Sequence, residues 1–238
     1  MRKVAFILAT VLLITKCVSA PIPYDTASID DSKGFVGLSV QYIDKQYYES
    51  RAWDRYRTEY YKITSSRGDL GKSFIKRENF EFGLQGGMGG GRREYRYYVV
   101  DKYWYPRDTV VMRIVEHPYE YFGIYIFPYF KWVISSGSST ISLKFSLGIE
   151  GGYTINDGTF FAFPQLLTDL MFGMGNPEVL TLGISFRSDP LYVAVFPFAS
   201  LHLGDFTFSV LCGYGPQMFY AYEGHILTFQ FGVAKKFK

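Results

Sequence analysis

Apolar and polar residues alternate along most of this chain. Leu143, Phe145, Leu147 and Ile149 fall on one side of an extended segment, and Ser142, Lys144, Ser146, Gly148 and Glu150 fall on the other. The same two-faced pattern appears in 36–42, 180–187 and 206–214. Side chains of a β-strand point alternately to opposite faces, so each segment predicts a strand with one oily and one polar side. Turn-forming residues punctuate the pattern: Gly68-Asp69, Gly86 to Gly91, Pro106-Arg107, Ser135 to Ser139, Asn156-Asp157-Gly158, Gly175-Asn176-Pro177, Asp189-Pro190 and Gly204-Asp205. Together they predict twelve strands, near 34–48, 54–64, 73–86, 92–105, 108–117, 119–134, 139–153, 158–174, 177–188, 190–203, 205–216 and 223–237. Ten is the alternative count, because 44–64 is polar enough to read as one long loop.

Alternation alone suits both a soluble sandwich and a barrel in a membrane. Two features favour the membrane. The polar face is rich in small residues (Gly37, Ser39, Ser146, Gly148, Gly183, Ser185, Ser209, Gly213), which suit a crowded interior better than a solvated surface. Aromatic residues crowd the strand ends, as at Tyr47-Tyr48, Trp53, Tyr103-Trp104-Tyr105 and Trp132, where rings would meet the headgroup zone. In hydrocarbon every backbone amide must be paired, so strands cross only as a closed barrel. The charged polar-face residues Glu81, Lys144, Glu150 and Arg187 are then expected in the lumen.

The composition agrees. The chain has 238 residues, 48% hydrophobic and 19% aromatic, too apolar for a disordered protein. Arg2 and Lys3 precede an apolar run from Val4 to Ile14, and Val18-Ser19-Ala20 offers small residues for cleavage. That layout predicts a secretory signal peptide over 1–20. The run of 4–14 is shorter than the roughly 20 residues of a spanning helix. Pro21 fits poorly just after such a cut, and Lys16 before Cys17 argues against a lipid-attachment site. Without 1–20 the chain carries 22 basic and 22 acidic residues, which gives no basic surplus for nucleic acid. Cys212 then has no intrachain partner for a disulfide. Residues 21–33 read as an N-terminal extension, and 34–238 as a single barrel domain.

The last strand carries a resemblance. Leu227, Phe229, Phe231, Val233 and Phe237 share one face, with a nearly terminal phenylalanine. In this the chain resembles the outer-membrane β-barrel proteins of Gram-negative-type bacteria. Two departures stand out: Lys238 follows Phe237, and Lys235 occupies a position that is usually aromatic or apolar. The resemblance implies an all-β, closed antiparallel up-and-down transmembrane β-barrel in the bacterial outer membrane. Its partners would be outer-membrane lipid and, during insertion, the barrel assembly machinery that reads such a strand.

Candidate chemistry is sparse. Ile126-Phe127-Pro128, Ala162-Phe163-Pro164 and Val195-Phe196-Pro197 repeat one motif at a two-strand interval. The repeat marks strands of one direction, with the prolines at bulges of a barrel or edges of a sandwich. Gly68 to Ser73 ends like a phosphate loop but lacks the earlier glycine and a following helix, so it reads as a turn. Gly86 to Gly91 reads as a flexible connection. His117 and His225 fall at one rim near Glu116 and Glu223, as a lipid-cutting barrel enzyme would need, yet no serine stands beside them. No cofactor, metal or catalytic residue is expected. Lys45–Arg57 is a ligand-catching loop or wall above the membrane. The expected function is a small pore or structural membrane protein, with a small solute as the ligand a pore would pass. A lipid-modifying barrel enzyme and a soluble β-barrel or sandwich binding an apolar ligand are the alternatives.

Overall fold

The computed structural model describes residues 22–51, 55–101, 111–134, 139–155, 158–188, 193–216 and 222–238. Ten strands occupy nearly all of them: β1 (Gly34–Arg51), β2 (Arg55–Arg77), β3 (Phe80–Asp101), β4 (Val111–Val133), β5 (Ser139–Thr154), β6 (Thr159–Met174), β7 (Leu180–Ser188), β8 (Val193–Leu203), β9 (Phe206–Pro216) and β10 (Tyr222–Phe237). Each pairs antiparallel with its sequence neighbours. β1 pairs with β10 from Gly34↔Phe237 to Glu49↔Tyr222, which closes the barrel. The expected signal peptide lies outside the described residues.

Alternation decides which side faces out. Along β5 Ser142, Lys144, Ser146, Gly148 and Glu150 are buried, while Leu147 is 66% exposed and Ile149 60%. Leu227, Phe229, Phe231 and Phe237 likewise project outward from β10. The oily face is the outside and the polar face is the inside, the reverse of a soluble sandwich.

Ten strands replace the expected twelve because three apparent breaks are strand interior. Gly68 and Asp69 are paired on both sides, with Leu38 and Gly37 of β1 and with Met88 and Gly87 of β3. Gly86 to Gly91 form regular pairs with β2 and β4, so this run is wall and not a flexible connection. Pro118 sits within β4 opposite Glu94. The real turn between β2 and β3 is Glu78-Asn79, which has neither glycine nor proline. A strand with neighbours on both edges is held by their hydrogen bonds, and this overrides the local preference of glycine or proline to break it.

The repeated prolines correct a second expectation. Pro128, Pro164 and Pro197 lie in β4, β6 and β8, alternate strands of one direction, and face outward. They form no bulges. The β4–β5 ladder passes over Phe127 and Pro128 and resumes in the same register, and the β8–β9 ladder begins at Phe198, just after Pro197. A residue without an N–H costs a rung and leaves the alignment intact. Among the described pairs the register shift falls elsewhere, on β2 between Ser73 and Ile75.

The wall is uneven. β2, β3 and β4 have 23, 22 and 23 residues, whereas β7, β8 and β9 have 9, 11 and 11. A tilted crossing takes roughly 9–11 residues. Both ends of the barrel domain lie at one mouth, the base. The surplus length of β1–β4 stands beyond the opposite rim. The stretch 45–57 belongs to this wall: its described residues extend β1 and begin β2.

Candidate functional site in the barrel lumen

Residues 22–33 precede the first strand and fold into the barrel. Lys33 enters at the base, where its N–H donates to Phe237 O at 2.7 Å. From there the segment, followed backwards, climbs the interior. Ile22, Tyr24 and Ala27 are wholly buried and pack in one cluster with Phe35, Met171, Phe196, Phe198 and Leu211 of the inner wall. The extension expected at 21–33 is therefore, in its described part, a plug.

Polar contacts fix the plug along its length. Lys144 makes an ion pair with Asp25 and donates to Gln85 Oε1 at 3.1 Å. Lys131 lies 2.7 Å from Glu81 Oε2 and also donates to the carbonyls of Thr26 and Ser28 at 3.3 and 3.0 Å. The hydroxyls of Ser200 and Ser209 both donate to Pro23 O, at 3.0 and 2.7 Å. At the base Lys236 and Lys76 pair with Asp30 at 2.7 and 3.3 Å. Across the mouth, the carboxylate of Glu178 accepts the N–H groups of Ala27 and Ser28, both at 2.8 Å. These buried cations and carbonyls compensate one another, as groups removed from water must.

Two carboxyls outside the strands are shifted. Burial works to raise Asp30, but Lys236 beside it, helped by Ser32, holds it well below the usual carboxylate range. Burial also works against Glu178, and the hydrogen bonds from Thr181, Ser28 and Ala27 outweigh it and hold it low.

Above the plug's tip the lumen stays occupied. Asp69 accepts the hydroxyls of Ser39 and Tyr24, at 2.7 and 3.0 Å, and the phenol of Tyr125. The guanidinium of Arg67 lies over the Tyr125 ring, 5.3 Å from its centroid. Phe127, Phe163 and Phe196, the middle residues of the three proline motifs, all point inward. The glycines opposite make room. A Cβ on Gly213 would lie 2.0 Å from the Phe196 ring, and one on Gly232 2.2 Å from the Tyr24 oxygen.

Glu81, Lys144, Glu150 and Arg187 are all buried on the inner face. Lys144 holds the plug directly, and Glu81 acts through its ion pair with Lys131. Glu150 accepts from Gln165 at 3.3 Å, and Arg187 lies over the ring of Phe196 at 5.0 Å. Sequence reasoning missed Asp25, Lys131, Asp30 and Glu178, because nothing in their spacing says that 22–33 turns inward. The one available signal was a surplus of polar-face lysines and carboxylates for a narrow interior. His202 is buried near the base, hydrogen-bonded to Thr181 and Thr207 at 2.8 and 3.0 Å. His117 and His225 lie in the far halves of β4 and β10, with β1, β2 and β3 between those strands. Among the described residues no three His, Cys, Asp or Glu side chains gather as metal ligands would.

No protein-family model matches the chain, and no curated sequence does. Solved structures do. The outer-membrane protease OmpT of Escherichia coli aligns with a TM-score of 0.50 at 10% identity, over 92% of this chain and 99% of its own. The translocator domain of the autotransporter NalP from Neisseria meningitidis gives 0.44 at 10% identity, over 99% and 96%. The toluene transporter TodX of Pseudomonas putida gives 0.38 at 5% identity, over 87% and 90%. At such identities the OmpT likeness is one of fold. The closed antiparallel wall, its apolar exterior and its polar interior make this chain a membrane-spanning β-barrel with the fold of the outer-membrane barrels.

Proposed function

We propose that the protein is a sealed barrel, a structural element of the outer membrane that presents its tall β1–β4 wall beyond the lipid and conducts no solute at rest. The observation that carries this reading is the plug: Ile22 and Tyr24 are 0% exposed in the centre of the lumen. In this class both termini and the shorter turns face the periplasm, so the base is the periplasmic mouth and the tall wall stands outside the cell. Catalysis has no part in the reading.

A second reading, a gated pore, has one specific support. Ion pairs and hydrogen bonds at the base tether the plug to the wall, and such contacts can be exchanged for water. Planar-bilayer recordings separate the two. The full chain should give a silent bilayer, and a chain with Tyr24→Ala and Asp25→Asn should give discrete conductance steps. Steady conductance from the unaltered chain would refute the sealed barrel. Silence from both would remove the gated pore.

A further inference from the structure

On the outer wall, β1 to β4 together with the base of β9 and β10 line an apolar groove of about 1030 Å³, at the upper end of the roughly 300–1,000 Å³ typical of small-molecule sites. Its floor is thin because two outward positions lack side chains: Gly68 on β2 and Gly86 on β3. The pairing sets them diagonally. Gly68 lies level with Leu38, Met88 and Ile124, and Gly86 lies level with Val36, Leu70 and Ile126. Leu38, 73% exposed, and its neighbours rise as banks on either side. From Gly68 the groove descends four positions along β2, roughly 13 Å of strand, to Lys72.

Two cations end it. Lys72 and Lys235 are exposed and line its lower end, on strands separated by β1. Among the described residues neither pairs with a carboxylate. Each ammonium lies instead over a phenylalanine ring, Lys72 over Phe74 at 5.8 Å and Lys235 over Phe206 at 5.9 Å. Lysines among aromatic rings at a strand end mark the headgroup level. Lys235 is also the residue that interrupts the apolar face of β10.

We propose that this groove binds one anionic phospholipid of the periplasmic leaflet, an acyl chain over Gly68 and Gly86 and the phosphate between Lys72 and Lys235. The charge decides the occupant. A second copy of the chain would bring its own lysines to the same level, whereas a phosphate supplies what two unpaired ammonium groups lack. The inference rests on the membrane-spanning reading above and goes beyond it.

The test is native mass spectrometry of the full chain in detergent with added phosphatidylglycerol or phosphatidylethanolamine. The unaltered chain should retain one phosphatidylglycerol in preference to phosphatidylethanolamine. Lys72→Gln with Lys235→Gln should weaken phosphatidylglycerol binding roughly 30-fold, the loss of two interfacial cations. Gly68→Leu should abolish binding by filling the groove, and the fold tolerates it: a Cβ there meets no atom closer than Met88 O at 4.0 Å. No preference between the lipids, unchanged affinity in the lysine variant, or full binding by Gly68→Leu would each overturn the proposal. So would a dimer of the unaltered chain that Gly68→Leu dissociates. An unaltered chain that keeps its heat-modifiable mobility but shows no preference for phosphatidylglycerol refutes the groove and leaves the barrel reading standing, which separates this failure from that one.

Discussion

Tyr24 reaches Asp69 across the lumen, its phenol donating at 3.0 Å from a segment that precedes the first strand to the middle of the second. The same hydroxyl also lies 3.1 Å from Leu38 O on β1. The contact joins residues 45 apart in sequence and fixes how deep the plug is seated. Gly232 faces that ring from β10 and has no room for even a methyl group. Gly232→Val should therefore unseat Tyr24 at a cost of about 1–3 kcal/mol, the usual range for overpacking. The readout is protease access to 22–33 in the inserted protein. A plug as protected in this variant as in the parent would contradict the seating.

Glu81 and Lys131 form a buried pair at 2.7 Å. Removing one partner leaves an uncompensated charge, so Lys131→Met should cost about 3–5 kcal/mol. Glu81→Gln together with Lys131→Met should restore most of that. Unfolding in urea, followed by the gel mobility of the heat-modifiable band, measures both. If the double variant loses as much as the single one, the pair is not the source of the effect.

Acid should loosen the base of the plug. Asp30 and Glu178 titrate below the usual carboxylate range when folded, so they stabilise the seated plug fully above about pH 4. That contribution fades as pH falls through their depressed folded values. Reconstituted protein should keep 22–33 protected from pH 7 down to about pH 4 and become progressively more open to an acid protease below it, and Asp30→Asn should abolish much of the difference. Release on raising the pH from 7 to 9 instead would have the wrong sign.

The outer face should reject charge. Leu147 is exposed on β5 with buried Ser146 beside it. Leu147→Lys near the bilayer midplane should cost about 2–4 kcal/mol in membrane stability. Leu147→Phe should cost little. Comparable loss from both substitutions would argue against lipid contact at this position.

Much of the architecture was legible in the sequence, for a definite reason. Alternation has a period of two; it runs unbroken from Leu143 to Glu150, and Lys235 is the one charged residue on the apolar face from Leu227 to Phe237. The faces of Leu143 to Glu150 and of Leu227 to Phe237 follow from side-chain geometry alone. Strand ends were harder. Gly86 to Gly91 resembles a loop in any local view, and only pairing with β2 and β4 makes it wall. Glu78-Asn79 turns with a single asparagine and neither glycine nor proline to announce it. Within the site, Glu81 and Lys144 could be placed in the lumen, but Asp25 and Asp30 could not be joined to them. An irregular segment carries no period, and its position depends on partners such as Lys76, Lys144 and Lys236, 46 to 206 residues away.

The unequal strands give the molecule a slanted lip. On the β7–β9 side the described wall is barely a membrane tall, while β2 to β4 rise on the other side like a palisade. With the base at the periplasm, as proposed, a molecule diffusing in the outer leaflet meets a low doorstep from one direction and a screen from the other. Anything that docks at the outer mouth has a preferred side of approach, set by strand length before any side chain is read.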